Sequence, residues 1–295
     1  MQYGKPRGKP RVGLILSGGS ARGIAHLGIL DIFEAYHIPI SFILAASYGA
    51  IVAGYYAYGY TPSEIFNMMK EFKLRYVLNL SKPWKGILSA EKTLSLFEKD
   101  VQGMKIESLS IPLSILAADI VSGEMVLIEE GSLSEAMLAS SSFPGLYEPF
   151  ESYNRLLTDG GILNRMLANV ARSKGADIVI YCDVSIFTTL RRKTLPRYVY
   201  NVLLRHVEKN RQTLAKKRKR INIRYTIFKF LCILMDNRDE HEQFKKTPPD
   251  YYIDPYVGHI RPLQFNKVDE LFEAGREAAI EVVQDICEDL NRFII

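Results

Sequence analysis

Short apolar runs alternate along this chain with longer segments whose apolar positions recur at helical spacing. Val12–Leu16, Phe42–Ala46, Leu113–Ala118, Met125–Ile128 and the core of Asp177–Asp183 are nearly continuous in aliphatic and β-branched residues. Runs of that length and composition read as strands, buried on both faces where they are apolar throughout. Between them, Gly23–Tyr36, Ala50–Tyr60, Pro62–Lys73, Ala90–Asp100, Leu133–Ser140 and Leu167–Lys174 read as helices, and Lys267–Phe293 as a long amphipathic one. A short strand ends at Asp159. The alternation predicts an α/β fold with a mostly parallel sheet covered by helices, its site at the C-terminal edge of the strands. Residues 74–90, with Pro83, Trp84 and Gly86, are expected to form a mobile cover over that cleft.

Glycine and serine punctuate this pattern where chemistry can sit. Ser17-Gly18-Gly19-Ser20-Ala21-Arg22-Gly23 follows the first strand and opens the first helix. Backbone N–H groups at such a turn are unpaired, and the helix N-terminus adds its positive end, so the turn suits a phosphate or a developing oxyanion. The phosphate reading is weak. A Walker loop would end Gly-Lys-Ser/Thr where this turn has Arg22-Gly23-Ile24, and Gly18, Gly19 and Gly23 miss the dinucleotide spacing.

The second run ends Ala45-Ala46-Ser47-Tyr48-Gly49 and passes directly into a small-residue helix. This is the layout of a nucleophile elbow with alanine in place of the first glycine. An ordinary serine N-cap would give the same window. Far downstream, Thr158-Asp159-Gly160-Gly161 presents a carboxylate at a strand end; a plain Asp-Gly turn reads the same way. Just before it, Ala139-Ser-Ser-Ser-Phe-Pro144-Gly145 is a small-residue helix end that breaks at proline.

Taken together and in order, these motifs resemble the patatin-like phospholipase family, its bacterial branch especially. The resemblance covers about residues 11–185, with a fainter echo in Phe265–Ile280, and includes Asn164 after the aspartate. Ser20, Ala45 and Tyr48 depart from the family pattern. The resemblance implies a three-layer α/β/α sandwich and a Ser–Asp dyad acting on lipid esters without calcium. Ser47 would be the nucleophile and Asp159 the base. The loop of Gly18, Gly19, Ser20, Arg22 and Gly23 would form the oxyanion hole, with Arg22 holding it in shape. Ala45, Tyr48, Gly49, Gly160 and Gly161 would support the elbow and the carboxylate. No histidine falls in a catalytic frame; His26 reads as a packing residue. Two alternatives stay open: a catalytically weak or inactive lipid-binding protein on the same fold, and a lipid acyltransferase.

Composition bounds this picture. At 295 residues the chain reads as one domain over 1–295, with a catalytic core over 11–185, a basic and aromatic segment over 186–264 and a terminal helix over 265–295. Met1–Arg11 lacks the apolar core of a secretory signal, and no apolar run approaches the roughly 20 residues that cross a bilayer. Cys182, Cys232 and Cys287 are far apart and read as free thiols. A cytoplasmic protein is expected, peripheral at the membrane at most, with neither cofactor nor metal.

Charge is unevenly spread. Residues 190–229 hold fourteen Lys/Arg and one acid, in a chain whose formal total is +5. Lys216, Lys217, Arg218, Lys219 and Arg220 form the centre, with an aromatic run at Tyr225–Met235 behind it. This suits an anionic membrane surface. It equally suits a solvated face or packing on a second copy, so a homodimer stays open. No recognition motif accompanies the charge, and a nucleic-acid partner is not expected.

Overall fold

The computed structural model of the chain describes residues 9–79, 86–152, 154–161, 167–185 and 246–293. The apolar runs fold as β1 (Val12–Leu16), β2 (Ile40–Ala46), β3 (Leu113–Asp119), β4 (Met125–Ile128), β6 (Arg155–Asp159) and β7 (Ile178–Cys182). Two strands that periodicity does not announce, β5 (Phe150–Ser152) and β8 (Tyr251–Ile253), complete an eight-stranded sheet. β8, β7, β1, β2 and β3 are parallel neighbours in that order. β4 and β6 pair antiparallel with β3, and β5 with β6. The helices are α1 (Ala25–Ala35), α2 (Tyr48–Tyr58), α3 (Pro62–Glu71), α4 (Ala90–Val101), α5 (Leu133–Ser141), α6 (Leu167–Ser173) and α7 (Val268–Arg292).

Side-chain alternation sorts the sheet into two faces. Val12, Leu14 and Leu16 of β1 and Ile178 and Ile180 of β7 enter a large core with α1, α2, α5 and α7. Ile15, Leu44, Leu116 and Tyr181 point the other way, into a smaller core closed by α6. Helices therefore cover both faces, giving the expected three-layer α/β/α sandwich with a mostly parallel sheet.

The register of β3 sets up everything that follows. Ile115 lies between Ala45 of β2 and Ile128 of β4, and Ala117 lies between Asp159 of β6 and Val126 of β4. β2 and β6 thus share one edge of β3 and approach from opposite ends. β2 stops at Ala46, opposite Leu116, and β6 stops at Asp159, opposite Ala117. The C-terminal ends of two strands meet head to head, with the residue after one and the last residue of the other at the junction.

Segment 74–90 is described at its two ends. Asn79 N–H donates to Ile87 O at 2.9 Å, Ser89 N–H to Val77 O at 2.7 Å and Leu88 N–H to Leu146 O at 2.8 Å. The first two bonds join the ends of the segment to each other, and the third ties it to the stretch after α5; Pro83 and Trp84 lie outside the described residues. So do residues 186–245, including Lys216–Arg220 and Cys232. Among the described residues, no helix is long and apolar enough to cross a membrane, and Cys182 and Cys287 are free thiols.

α1 and α7 touch backbone to backbone. A Cβ on Gly275 would fall 1.9 Å from Ala25 O, and one on Gly28 would fall 2.0 Å from Phe272 O. Neither helix can move away without opening the core around Leu271 and Ala279, both fully buried. Gly275→Val is expected to destabilise the fold by about 3 kcal/mol or more. Gly258→Ala, where an added Cβ meets nothing within 4 Å, should stay within about 0.5 kcal/mol of the native protein. Denaturant unfolding of the two variants beside the native protein measures both.

Candidate active site

Ser47 occupies the turn from β2 into α2 with φ 55° and ψ −131°. Non-glycine residues avoid this region at a cost of about 1–3 kcal/mol, and such strain persists only where the surroundings fix it. Here the fixing is visible. The Ser47 N–H donates to Ser140 Oγ at 2.8 Å, and Ser140 Oγ–H donates to Leu116 O at 2.6 Å. Ser140 of α5 therefore fills the gap where β2 has ended, satisfying one group on each strand. Behind the turn, Gly49 packs on the end of β1, where an added Cβ would fall 2.4 Å from Leu16 O. Ala45 stands where the family pattern has glycine; it is fully buried, its methyl group in the large core.

Asp159 arrives from the opposite direction. Its backbone N–H donates to Ser142 O at 3.1 Å, so α5 anchors this strand end as well. Asp159 Oδ2 accepts from Ser47 Oγ–H at 2.6 Å, and Oδ1 accepts from Gly161 N–H at 2.7 Å. The two bonds fix the plane of the carboxylate. Gly160 lies directly against β3, where a Cβ would be 2.0 Å from Leu116 O; only glycine lets the chain turn so close to the sheet. Burial pushes the Asp159 carboxyl up to about 6, against the opposing pull of the Ser47 hydroxyl and the Gly161 N–H.

The glycine loop closes over the serine. A Cβ on Gly18 would fall 2.6 Å from Ser47 Cβ. The loop continues through Gly19 into a tight turn, Ser20–Ile24, with Ser20 at φ 52°. The N–H groups of Gly19 and Ser20 have no acceptor among the described residues. Arg22 points away from the cleft: Nε donates to Ile260 O at 2.7 Å and Nη2 to Gly258 O at 2.9 Å. Ala21 N–H donates to Pro262 O at 2.9 Å. The loop is thus pinned to the stretch that leads into α7. Gly23 leaves room for the ring of Tyr48, whose OH donates to Met69 Sδ at 2.8 Å.

Several contributors carried no usable signal in the sequence. Ser140 stands in a recognised small-residue helix end, but nothing there marks its hydroxyl as bridging two strand ends. The anchors at Gly258, Ile260 and Pro262 are carbonyls, which any sequence could supply. Asp183 follows β7 and joins Ser17: Ser17 Oγ–H donates to Asp183 Oδ1 at 3.3 Å and Val184 N–H donates to Ser17 Oγ at 2.8 Å. Tyr252 OH donates to Asp183 Oδ2 at 2.6 Å. This network holds Val184 against Gly19, where a Cβ would be 2.5 Å from Val184 O. Asn164 lies outside the described residues.

His26 sits behind the loop, fully buried, with Nε2–H donating to Ser17 O at 2.9 Å. Burial lowers its pKa to about 4, so it is neutral. It does not reach Ser47. His259 pairs with Glu270 on the surface at 2.9 Å, and no described group of three or more His, Cys, Asp or Glu side chains could hold a metal.

Ser47, Asp159, Gly18, Gly19 and Ser20 open into a cleft of about 1230 Å³, larger than the roughly 300–1,000 Å³ usual for small-molecule sites. Its walls are Ile51 and Tyr55 of α2, Met68 and Met69 of α3, Phe97 of α4, and Phe143, Tyr147 and Phe265. A serine with a carboxylate on its hydroxyl, free N–H groups beside it and an apolar trough in front can accept an acyl group and hold its chain.

The raised pKa has a stability consequence. Unfolded, the Asp159 carboxyl titrates near 3.9; folded, near 6. Between these values the folded state binds a proton that the unfolded state releases, so stability falls as pH rises through the window. Asp159→Asn should therefore gain on the native protein from pH 4 to pH 7, by up to about 3 kcal/mol. Paired denaturant titrations across that range would show it, and a gap that does not change with pH would contradict it. Ser140→Ala should cost about 1–3 kcal/mol, since it leaves Ser47 N–H and Leu116 O without their partner.

The sequence pattern of the patatin-like phospholipase family matches residues 14–172. An uncharacterized NTE family protein of Mycobacterium tuberculosis is 37% identical over 174 residues, 58% of this chain and 48% of that one. Lysophospholipase NTE1 of Candida albicans is 27% identical over 280 residues, 93% of this chain and 20% of that one. The chain thus spans about half the length of the mycobacterial relative and a fifth of the fungal one. The crystal structure of VipD from Legionella pneumophila superposes with a TM-score of 0.54 at 12% identity, over 94% of this chain and 67% of that one, a likeness of fold. With the family's motifs carried by residues 14–172, the chain belongs to the patatin-like phospholipase family.

Proposed function

We propose that this protein is a serine acyl hydrolase that cleaves carboxylic esters of phospholipids, lysophospholipids or related lipids. The observation that carries the reading is the 2.6 Å hydrogen bond from Ser47 Oγ–H to a buried carboxylate at the floor of an apolar cleft. Ser47 Oγ attacks the ester carbonyl carbon, and its proton passes to Asp159 Oδ2. The carbonyl oxygen becomes an oxyanion, held by the N–H groups of the Gly18–Ser20 turn. Collapse breaks the bond to the leaving alcohol, which takes the proton from Asp159. Water then attacks the acyl-enzyme with Asp159 again as base, freeing the fatty acid and Ser47.

A carboxylate with the ordinary pKa of about 4 is a poor base for an alcohol. At about 6 Asp159 is a better one, still ionised at neutral pH. The whole chain is read as one functional unit, because Gly258 and Ile260 hold Arg22 in place. Hydrolysis and acyl transfer share the acyl-enzyme, so water as acceptor is part of the proposal. A catalytically inactive lipid-binding protein is the second reading. It is favoured only by the bulky Tyr48 beside the serine, whose ring packs against Phe265 at 5.8 Å between centroids.

Fatty-acid release from phospholipid and lysophospholipid micelles in chelator is the test. Ser47→Ala and Asp159→Asn should each lower kcat by about 10³-fold or more with the fold intact. A fluorophosphonate should add to Ser47 alone. In the native protein kcat/KM should rise about tenfold per pH unit up to about 6 and level off above it, as Asp159 ionises. Undiminished hydrolysis by Ser47→Ala would place the nucleophile elsewhere. A folded native protein inert toward ester and fluorophosphonate would favour the lipid-binding reading.

A further inference from the structure

The chemistry of the cleft is at its floor, but the mouth has a composition of its own. Most of the large apolar side chains in the described residues are buried. Seven are exposed; Tyr36, Tyr252, Tyr256 and Ile280 lie elsewhere, while Tyr76, 55% exposed, Ile87, 54%, and Leu263, 54%, all lie on the cleft. They come from separate parts of the chain: the turn after α3, the bridged stretch before α4, and the stretch before α7. Apolar side chains scattered singly on a surface need no explanation; three converging on one opening do.

Cations interleave with them. Lys73, Lys99 and Arg261 also edge the cleft and are exposed. None is within salt-bridge reach of a described carboxylate, whereas Lys70 beside them is held by Asp269 at 2.7 Å. The Arg75 guanidinium lies over the Tyr76 ring at 5.5 Å, adding a further positive charge at the same edge. Two acids share this rim, Glu71 and Asp100, the latter also accepting from Tyr55 OH at 2.7 Å, so the cations outnumber them.

We propose that the rim formed by Tyr76, Ile87, Leu263, Lys73, Lys99 and Arg261 is a docking surface for an anionic phospholipid bilayer. The inference rests on the lipid-ester reading of the cleft and says how the substrate reaches it. Apolar side chains already half out of the protein gain by entering the acyl boundary, and unpaired cations around them meet lipid phosphates. A protein seated here would cover the opening. A bilayer seated here leaves it facing the lipid, so that a chain can pass from membrane to cleft without crossing water. The basic cluster Lys216–Arg220 lies outside the described residues, and its contribution is separated from that of the rim by experiment.

Binding is measured on its own by co-sedimentation with vesicles of phosphatidylcholine, with or without phosphatidylglycerol, in a Ser47→Ala background so that no lipid is consumed. The triple variant Tyr76→Ser, Ile87→Ser, Leu263→Ser should partition about tenfold or more weakly onto both vesicles. The triple variant Lys73→Gln, Lys99→Gln, Arg261→Gln should lose the preference for phosphatidylglycerol and its salt dependence. Neutralising Lys216–Arg220 should leave both effects of the rim in place.

A second measurement does not depend on loss of function. The chain has one tryptophan, so Leu263→Trp in a Trp84→Phe background places the only indole on the rim. Brominated lipid should quench it, and should leave Ile280→Trp, exposed on α7 away from the cleft, unquenched. Native-like partitioning of both rim triples, or an unquenched Leu263→Trp, would overturn the proposal. So would dimerisation in lipid-free buffer that the apolar triple alone abolishes, because a second copy would then be the occupant. Vesicle binding through the rim by a protein that cleaves no ester would sink the hydrolase reading and leave the docking surface standing.

Discussion

Two strands ending against one another on a single edge of β3 is the constraint on which this site depends. Sheets rarely let strand ends abut, because each end strands a backbone donor or acceptor in a buried place. Here the junction is repaired by one hydroxyl, Ser140, which accepts from Ser47 N–H and donates to Leu116 O. The repair has a by-product. The next residue of β2 and the last residue of β6 have nowhere to point except toward each other, and the 2.6 Å Ser47–Asp159 hydrogen bond follows from backbone register. No flexible side chain has to be recruited from a distant loop. On the proposed mechanism this is why the pair needs no third member. In a triad a distant carboxylate orients a mobile imidazole; here strand β6 and Gly161 N–H orient the carboxylate itself.

The same junction costs stability and supplies chemistry. Ser47 is held at φ 55°, and Asp159 is buried with only two hydrogen bonds to offset the loss of water. Either feature alone would select against itself in a protein under selection for stability only. Together they set a strained, buried hydroxyl against a carboxylate whose pKa burial has raised. The surroundings absorb the cost through rigid packing: α5 anchors both strand ends, Gly160 lies flat on β3, and the α1–α7 contact at Gly28 and Gly275 fixes the helix that follows the glycine loop.

Much of this was legible in the sequence because it rests on residue types that have few substitutes. A loop that must pass 2.6 Å from Ser47 Cβ needs Gly18, and a turn lying on Leu116 O needs Gly160. Apolar runs that must bury both faces give β1, β2, β3 and β7 directly. What was not legible rests on groups every residue carries. Gly258, Ile260 and Pro262 hold the loop through their carbonyls. β8, three residues long, joins the sheet by backbone pairing to β7. Ser140 could be seen, but not its task, because bridging two strand ends depends on where β2 and β6 stop. The backbone bond from Leu88 N–H to Leu146 O, which ties the stretch before α4 to the body, is likewise announced by no side chain.

The cleft divides its labour by depth. At the floor, charge is scarce and fixed: one carboxylate with both oxygens bonded, and N–H donors that cannot rotate. The walls are largely thioether and aromatic, with Met68, Met69, Phe97 and Phe143 giving surfaces that adapt to a flexible chain, and the hydroxyls of Tyr55 and Tyr147 taken up by Asp100 and Thr93. Polar specificity is therefore confined to the two ends, the reacting carbonyl at the bottom and the lysines and arginine at the top. On the proposed reading, a substrate that satisfies both carries a long apolar stretch between an ester and a surface that stays wet. Lipids at an interface meet that description, and small soluble esters meet only its first part. On the proposed reading, it is this separation of a reacting floor from a docking rim, more than any single contact, that distinguishes the site from that of a general esterase.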